Sequence, residues 1–245
     1  MVRHINLKYE NVLYAEIPVS HFVGKSSCAC KVRALISLKS AGDMNRNRDS
    51  FLKKLNIKKE NVIALRQIHS KKVYFAHEVQ SKCSGRIAGD GLISMENDKV
   101  LSVTVADCLP ILLFNRKNCC YSLLHSGWRG TGIVTEAVYR MKRECGSLPA
   151  DISVVIGPGI GVCCYEVSRD VCEYFKNTFG SASVVQRKGS CFVDLREANI
   201  SLLKNIGVED ITVVDDCTSC NVNLQSYRRD GKENFGTMIV LFGKL

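Results

Sequence analysis

Short apolar runs separated by polar turns recur along the chain, and their lengths favour strands over helices. Strand-like runs lie at residues 73–76, 91–94, 100–114, 119–125, 152–156, 211–214 and 238–242. Apolar positions at helical spacing predict helices over residues 45–55, 130–145, 169–179 and 195–206. Ser168 and Asp194 stand where the last two of these helices would begin, as N-cap residues do. Because several strands follow one another after short turns, we expect an α+β fold of layered sheets flanked by helices.

The 245 residues are enough to bury a sizeable core, and neither an internal repeat nor a linker-like stretch divides them. We therefore expect a single domain over residues 1–245. Hydrophobic residues make up 46% of the chain, yet no apolar run approaches the ~18 residues of a membrane span. The first residues carry scattered charges and no apolar segment, which predicts no secretory signal. A globular protein is expected, with no membrane partner.

The formal net charge of +10 is concentrated in the first third of the chain. Residues 1–82 hold 16 Lys and Arg against 6 Asp and Glu, whereas residues 83–245 hold 18 of each sign. A basic surface of this kind can attract nucleic acid or phosphorylated ligands. Nucleic acid ranks last as a partner, because aromatic residues make up only 7% and no recognised nucleic-acid motif occurs.

Thirteen cysteines are too few in a chain of this length for a small disulfide scaffold. The cysteines include two adjacent pairs in apolar stretches of the sequence, Cys119-Cys120 and Cys163-Cys164. We expect both pairs to be buried as small hydrophobic residues. A CxxC motif at residues 217–220 has the spacing of half a zinc knuckle or a redox pair. No second CxxC exists, so a zinc site of four cysteines is not expected. Reduced cysteines in this pattern predict a cytoplasmic protein.

Polar residues interrupt otherwise apolar stretches of the sequence at three places, namely His69, the pair Asp107-Cys108, and His125. Burying a carboxylate without a partner is costly, so Asp107 beside Cys108 at the end of a strand indicates a site. Cys108 with His69 and His125 could supply three ligands to Zn²⁺. Alternatively, Cys108 is a nucleophile activated by His125, with Asp107 or another carboxylate orienting the imidazole. The third interpretation is a packed core thiol beside ordinary histidines, and the residues alone leave all three open.

Two further segments could bind an anion. In the first, residues 125–132, three glycines lie at the entry to a predicted helix, and Arg129 adds a bidentate donor for phosphate or carboxylate. In the second, residues 227–231, Arg228 and Arg229 lie in what the pattern predicts to be a turn. A glycine-rich turn and a solvated arginine pair explain the same residues without a ligand.

Taken together, these segments resemble the YfiH-like family, also called the laccase-domain or multicopper polyphenol oxidase family. The matching segments follow the family's order: QIH at 67–69, GDGLI at 89–93, ADCLP at 106–110, HSGWRG at 125–130, IGPGIG at 156–161, YEV at 165–167, DL at 194–195, CT at 217–218 and SYRR at 226–229. ADCLP followed closely by HSGWRG is highly specific. The resemblance implies a single α+β domain with an α/β/β/α arrangement of mixed or antiparallel sheets.

The resemblance also implies a metal site and a chemistry. His69, Cys108 and His125 match the family's zinc ligands, with copper as the alternative metal. The family's activities are phosphorolysis of adenosine, inosine and methylthioadenosine, and deamination of adenosine, so the expected partners are a purine nucleoside and phosphate. Copper-dependent polyphenol oxidation, peptidoglycan-precursor editing and a cysteine hydrolase remain as alternatives. Five histidines in the whole chain cannot supply the several copper sites of a true laccase.

Roles for the remaining residues follow from this hypothesis. Asp90 or Asp107 would carry a proton during deamination, in which zinc-activated water attacks C6 of adenine. One of three arginines would hold the phosphate that attacks C1′ of the ribose, namely Arg129, Arg228 or Arg229. Gln67, in the QIH segment, is assigned to substrate or phosphate binding. A monomer or homodimer is expected.

Overall fold

Two stacked β-sheets lie at the centre of the computed structural model, which describes residues 2–19, 32–80 and 86–245. The larger sheet has seven strands in the order β1 (Val2–Ile5), β14 (Asp210–Val214), β10 (Ile152–Ile156), β8 (Leu109–Asn115), β9 (Tyr121–Ser126), β6 (Gly91–Ser94) and β5 (Val73–Phe75). The second sheet has five strands in the order β2 (Tyr14–Glu16), β3 (Arg33–Ser37), β15 (Met238–Gly243), β7 (Val100–Val105) and β4 (Val62–Ala64). A small third sheet contains β11 (Glu166–Val167), β13 (Ser190–Val193) and β12 (Val184–Arg187).

Both large sheets are mixed, as the family resemblance implies. In the larger sheet β10, β8, β9 and β6 pair antiparallel in turn, whereas β14 pairs parallel with both β1 and β10. In the second sheet all pairs are antiparallel except β4 with β7. In the β8–β9 pair, Pro110 lies directly opposite His125, which brings the ADCLP segment beside the HSGWRG segment.

Six α-helices and four short 3₁₀-helices accompany the sheets within the described residues. The α-helices are α1 (Met44–Lys54), α2 (Ala76–Gln80), α3 (Ile133–Cys145), α4 (Arg169–Phe179), α5 (Leu195–Asn205) and α6 (Tyr227–Asn234). The 3₁₀-helices are Lys39–Ala41, Lys59–Asn61, Pro149–Asp151 and Ser181–Ser183. At the start of α5, the Asp194 carboxylate accepts hydrogen bonds from two backbone N–H groups, so this predicted cap is confirmed. Ser168 holds the cap position of α4 without a side-chain capping bond.

The central strand β8 of the larger sheet is buried along its whole length and mostly apolar, because both of its faces are covered. In β8, Ile111 and Leu113 pack in a core with α3, α4 and α5, whereas Leu112 and Phe114 pack against the second sheet. The outer face of the second sheet is covered by α1 through Phe51 and Leu52. The layers therefore run helix, sheet, sheet, helices, and the α/β/β/α arrangement is confirmed.

The structure corrects two element predictions. The apolar run at 100–114 forms two strands, β7 and β8, that belong to different sheets. The chain crosses between the sheets at Asp107, whose φ of +79° breaks the extended backbone. Residues 227–231, predicted as a turn, begin helix α6, because Ser226 Oγ accepts a capping hydrogen bond from the Arg229 N–H.

Cysteine positions agree with prediction only in part. Cys119 and Cys120 are buried as expected, but the burial predicted for the pair at 163–164 is wrong, since both lie in a turn and Cys163 is exposed. A disulfide between Cys172 and Cys191 joins α4 to β13, where reduced cysteines were expected. Within the described parts of the chain, none of the helices has the length and apolar character needed to cross a bilayer.

Candidate metal centre and its cavity

His69, Cys108 and His125 come from three separate segments of the chain and meet at one place in the fold. His69 lies in the loop between β4 and β5, Cys108 lies between β7 and β8, and His125 lies within β9. Their ligand atoms all lie within 4.8 Å of one another. The two imidazole rings meet edge to face, with centroids 4.9 Å apart. Two imidazoles and a thiol at this separation are donors of the kind that zinc prefers.

The backbone around these residues is held in uncommon conformations. His69 and Asp107 have φ values of +58° and +79°, in the left-handed region that non-glycine residues seldom adopt and that is enriched at functional sites. Gly127 lies against the ligands so closely that a Cβ there would be 2.6 Å from Cys108 Sγ and 3.3 Å from His69 Cδ2. Only glycine leaves room for the three ligands at this point.

Asp90, which lies just before β6, connects two of the ligands. It is fully buried, and its carboxylate accepts hydrogen bonds from the backbone N–H groups of Ile68, His69 and Ser70 at 2.7–3.3 Å and from the Ser70 hydroxyl at 2.7 Å. Nδ1 of His125 lies 2.9 Å from the same carboxylate. A proton on Nδ1 leaves Nε2 as a metal donor, which is the arrangement common in zinc sites.

The electrostatics of the site follow from these contacts. Burial opposes the charge of Asp90, but hydrogen bonds from His125 and Ser70 outweigh it and hold the pKa at about 2. Burial would lower the pKa of His125, yet hydrogen bonds to Asp90 and Cys108 raise it to about 9. Burial would raise the pKa of the Cys108 thiol, but hydrogen bonding to His125 and His69 lowers it to about 7. The Cys108 thiolate that a metal needs is therefore accessible near neutral pH.

A cavity of about 630 Å³ opens beside these ligands. Its apolar lining consists of Ala106, Trp128, Ile160, Tyr165, Leu195, Tyr227 and Phe235. Its polar lining consists of Gln67, His69, Thr104, Asp107, Cys108, His125, Arg129, Arg228 and Thr237. A volume of this size suits a small organic ligand, and an aromatic wall with few polar groups is typical of such sites.

Asp107 is held at the edge of the cavity by two partners. Its Oδ1 accepts a hydrogen bond from the Thr218 hydroxyl at 2.6 Å, and its Oδ2 accepts one from the Arg228 backbone N–H at 2.7 Å. These bonds tie the segment before Cys108 to the start of α6. Asp107 is the only carboxylate among the cavity-lining residues that the structure describes.

The predicted anion-binding arginines have different surroundings. Arg129 is exposed at the cavity, stacks over Trp128 at 5.0 Å, and has no carboxylate partner within the described residues. The Arg228 guanidinium lies over the Tyr165 ring at 5.4 Å and donates to the carbonyls of Cys164 and Glu166.

Arg229 lies outside the cavity lining. Its guanidinium pairs with Asp230 at 2.9 Å and donates to the carbonyls of Thr218, Asn221 and Leu224. These bonds close the loop before α6 and leave little capacity for a ligand. The sequence hypothesis treated the two neighbouring arginines alike, because nothing local shows which of them faces inward.

Gln67 lines the cavity but is already partnered. Its side-chain oxygen accepts hydrogen bonds from the N–H and hydroxyl of Thr104, and its amide donates to the Thr104 carbonyl at 2.8 Å. Sequence reasoning did not assign Thr104, Phe235 or Thr237 to the site, and no motif marks them. Tyr165, in contrast, belongs to the YEV segment, which is one of the segments that match the family.

Four cysteines form a second cluster that sequence reasoning excluded. The Sγ atoms of Cys163, Cys164, Cys217 and Cys220 lie within 4.8 Å of one another. No second CxxC motif occurs in the sequence. The cysteines that lie beside the CxxC motif in space are instead an adjacent pair, Cys163 and Cys164, in a separate turn more than 50 residues earlier. Pairing between distant turns depends on the order of strands in the sheet, which spacing along the chain does not report.

Fold and site together define a class of protein with an α/β/β/α core and a group of two histidines and one cysteine that could hold a metal ion beside an aromatic cavity. The model of the family described as multi-copper polyphenol oxidoreductase laccase matches residues 38–243, and the chain belongs to this family. The resemblance found in the sequence is thereby confirmed.

Named relatives and a solved structure agree with this assignment. A purine nucleoside phosphorylase of Aquifex aeolicus is 31% identical over 186 residues, which cover 75% of this chain and 84% of that protein. One of Clostridium acetobutylicum is 34% identical over 151 residues, which cover 60% of this chain and 63% of that protein. The crystal structure of the hypothetical protein YfiH of Bacillus licheniformis aligns with a TM-score of 0.84 and 25% identity, covering 97% of this chain and 98% of that one.

Proposed function

We propose that this chain is a zinc-dependent purine nucleoside enzyme that phosphorolyses adenosine, inosine and methylthioadenosine. The observation that carries the proposal is that His69, Cys108 and His125 share one cavity with Arg129 and an aromatic wall. The relatives from Aquifex aeolicus and Clostridium acetobutylicum bear the name purine nucleoside phosphorylase, which supports the same activity.

The cavity suits the two substrates. Its volume of about 630 Å³ falls within the usual range for small-molecule sites. Trp128, Tyr165 and Tyr227 offer flat faces on which a purine ring can stack. Arg129 is the proposed phosphate ligand, since its guanidinium is exposed at the cavity and lacks a carboxylate partner in the described parts of the chain. Arg228 is the second candidate.

Phosphorolysis exchanges one bond for another at C1′ of the ribose. A phosphate oxygen forms a bond to C1′ while the C1′–N9 bond breaks, and the bonding electron pair stays with the base. The proton of the hydrogenphosphate ends on a nitrogen of the departing base. A fixed guanidinium beside the phosphate orients the attacking oxygen and offsets its negative charge.

A zinc ion supplies a Lewis acid when it is bound by His69, Cys108 and His125. The chain's own contribution is to hold the three ligands in place. We assign this positioning role to Asp90, in place of the proton transfer that the sequence hypothesis allowed it. The reason is that Asp90 is fully buried and is not among the cavity-lining residues.

Adenosine deamination is the second activity we propose for the same cavity. In this hydrolysis an oxygen from water replaces the amino group on C6 of adenine, and ammonia leaves. A proton must move from the water to the leaving nitrogen, and a carboxylate is suited to carry it. Asp107 is assigned this role because it is the one carboxylate among the described cavity-lining residues.

A cysteine hydrolase is the alternative function that one observation favours. Hydrogen bonds to His125 and His69 bring the pKa of Cys108 to about 7, as a nucleophilic thiol requires. A hydrolase of this kind predicts covalent labelling of Cys108 and activity that survives chelation. Peptidoglycan-precursor editing and copper-dependent polyphenol oxidation rest on the family resemblance. Oxidation by several coppers is disfavoured, because His4 and His77 lie outside the cavity lining.

The test measures metal and turnover on the same preparation. Zinc and copper are quantified by mass spectrometry, and free base is followed by chromatography after incubation with adenosine or inosine, with and without phosphate. We expect free base only when phosphate is present, and inosine from adenosine in either condition. Cys108→Ala should abolish both activities. Cys145→Ala should keep them, because Cys145 belongs neither to the His69, Cys108 and His125 set nor to the four-cysteine cluster. A folded protein without purine turnover would overturn the proposal.

A further inference from the structure

Two turns beside the cavity bring four cysteines together. Cys163 and Cys164 lie in the turn between β10 and β11, and Cys217 and Cys220 lie in the turn after β14. Sγ of Cys220 is 3.7 Å from that of Cys163 and 3.4 Å from that of Cys164. All four sulfur atoms lie within 4.8 Å of one another.

We propose that these four cysteines bind one zinc ion as thiolates, at a second metal site separate from His69, Cys108 and His125. Zn–S bonds of about 2.3 Å in a tetrahedron place the sulfur atoms about 3.8 Å apart. The two measured separations are close to this value. Four sulfur donors favour a soft metal over Mg²⁺ or Ca²⁺, whose preferred ligands are oxygens.

Hydrophobic packing does not explain the cluster. Cys163 and Cys220 are exposed, so neither gains much from removal of apolar surface from water. The backbone N–H of Gly161 donates a hydrogen bond to Cys217 Sγ at 3.2 Å, the kind of outer contact that supports metal-bound ligands. Gly161 also lets the turns approach, because a Cβ there would lie 3.0 Å from Cys163 Sγ and 3.2 Å from Cys217 Cβ.

A disulfide is a weaker explanation than a metal ion. Two disulfides would bring the sulfur atoms together in pairs at about 2.05 Å, whereas Sγ of Cys220 lies at similar distances, 3.7 Å and 3.4 Å, from those of Cys163 and Cys164. A tetrahedral ion accounts for the mutual proximity of all four. The CxxC spacing at 217–220 and the adjacent pair at 163–164 provide two ligands from each turn.

The site is closed, since four protein ligands leave no position for water or substrate, and its role is therefore structural. It would fasten the turn that precedes Tyr165 to the turn that contains Thr218. The first turn contacts the cavity through the Cys164 carbonyl, which accepts a hydrogen bond from Arg228 at 3.1 Å. The second contacts it through the Thr218 hydroxyl, which donates to Asp107 at 2.6 Å. The ion would thus fix one wall of the cavity.

The experiment counts zinc on the intact protein and its variants by native mass spectrometry and elemental analysis. The two ligand groups predict two zinc ions in the unaltered chain. We expect one ion after Cys108→Ala and one after the double change Cys163→Ser with Cys220→Ser. The matched control Cys145→Ser should keep the count of the unaltered protein.

A second measurement keeps the proposal testable if the double variant fails to fold. Protein produced in cobalt-containing medium is compared with its Cys108→Ala form by absorption spectroscopy. A four-thiolate cobalt site gives strong sulfur-to-metal charge-transfer bands, and these should persist when Cys108 is absent.

Several results would overturn the second site. These are a Cys108→Ala protein without zinc, iron with acid-labile sulfide in place of zinc, or intact masses showing that the four cysteines are joined by disulfides. The zinc that remains in Cys108→Ala and is lost when Cys163 and Cys220 are changed tests this site without reference to turnover or to the first metal site. A chain with no purine activity whose single zinc survives Cys108→Ala and is lost from the double variant would support this site and contradict the other.

Discussion

One buried carboxylate, Asp90, sets the positions of two candidate metal ligands at the residue scale. It holds the backbone of the His69 loop and the Nδ1 atom of His125 at the same time. A residue of this kind carries no reactive group into the cavity, yet it decides which nitrogen of His125 is available. Asp90 matters because it sets the tautomer and the orientation of the His125 imidazole.

The first prediction tests this positioning role. Asp90→Asn should weaken zinc binding at the His69, Cys108 and His125 set by about 10–100-fold, because an amide cannot accept all the hydrogen bonds that the carboxylate accepts. A competition titration with a chromogenic chelator measures the change. Asp98→Asn, at an exposed carboxylate beside Lys99, should leave affinity unchanged. Normal zinc affinity with lost deamination would instead return Asp90 to proton transfer.

The second prediction separates the arginines. Arg129→Ala should raise the KM for phosphate by about 10-fold or more, because it removes a charge-assisted contact to an anion. The KM for the nucleoside should change little. Steady-state kinetics with each substrate varied in turn measures both constants. Arg143→Ala, at an exposed arginine of α3, is the matched control, and a phosphate KM that stays constant in Arg129→Ala would remove Arg129 from the proposed site.

At the scale of elements, the start of α1 is joined to the start of β15 by one side chain. The Asp43 carboxylate accepts hydrogen bonds from the backbone N–H of Asn45 at 3.2 Å and from the N–H and hydroxyl of Thr237 at 2.9 Å. Thr237 lines the cavity. The residue that caps α1 therefore also fixes Thr237, the cavity residue directly before β15.

The third prediction concerns this cap. Asp43→Ala should lower the free energy of unfolding by about 1 kcal/mol, because the first turn of α1 loses its capping acceptor. Urea denaturation followed by circular dichroism measures the loss. Asp49→Ala in the same helix breaks only an exposed pair with Lys59, so its effect should stay within about 0.5 kcal/mol. Equal losses in both variants would contradict the capping role.

At the scale of the whole molecule, segments about 207 residues apart in the chain meet in the larger sheet. The N-terminal strand β1 pairs with β14, and Arg3 forms an ion pair with Asp210. Ser153 donates a hydrogen bond to the same carboxylate, and Arg116 lies 3.8 Å from it. Burial opposes the charge of Asp210, but these partners outweigh it and hold its pKa below the ordinary value of 3.8.

The fourth prediction follows from the lowered pKa of Asp210. Because the pKa of Asp210 is lower in the folded state, its stabilising contribution is complete above the ordinary pKa and is lost as pH falls through the folded pKa. Asp210→Asn should therefore lower the Tm at pH 7, and the difference from the unaltered protein should shrink as pH falls below about 4. Thermal melts across this range measure it. A difference that grows in acid would contradict the assignment.

Local patterns predicted most elements near the site. Helix α3 ends at the predicted Cys145 but begins at Ile133, three residues after the predicted start, and β6 and β10 have the predicted bounds. A strand end at Asp107 was predicted, but the crossing to the other sheet was not, because the apolar residues on either side of Asp107 do not show which sheet each half of the run enters. The single domain over residues 1–245, the oligomeric state and the cytoplasmic location stay predictions.

The sequence by itself determined the layered α+β class and the types of candidate ligand in the ADCLP and HSGWRG segments, since periodicity and residue chemistry are local properties. Tertiary structure alone decided that Asp90 supports two ligands, that Arg229 closes a loop while Arg129 faces the cavity, and that Cys163 and Cys164 meet a CxxC motif in another turn. The physical reason is that these contacts join residues on different strands and turns. Which of them become neighbours depends on strand order and packing between layers, and no periodicity along the chain encodes that order.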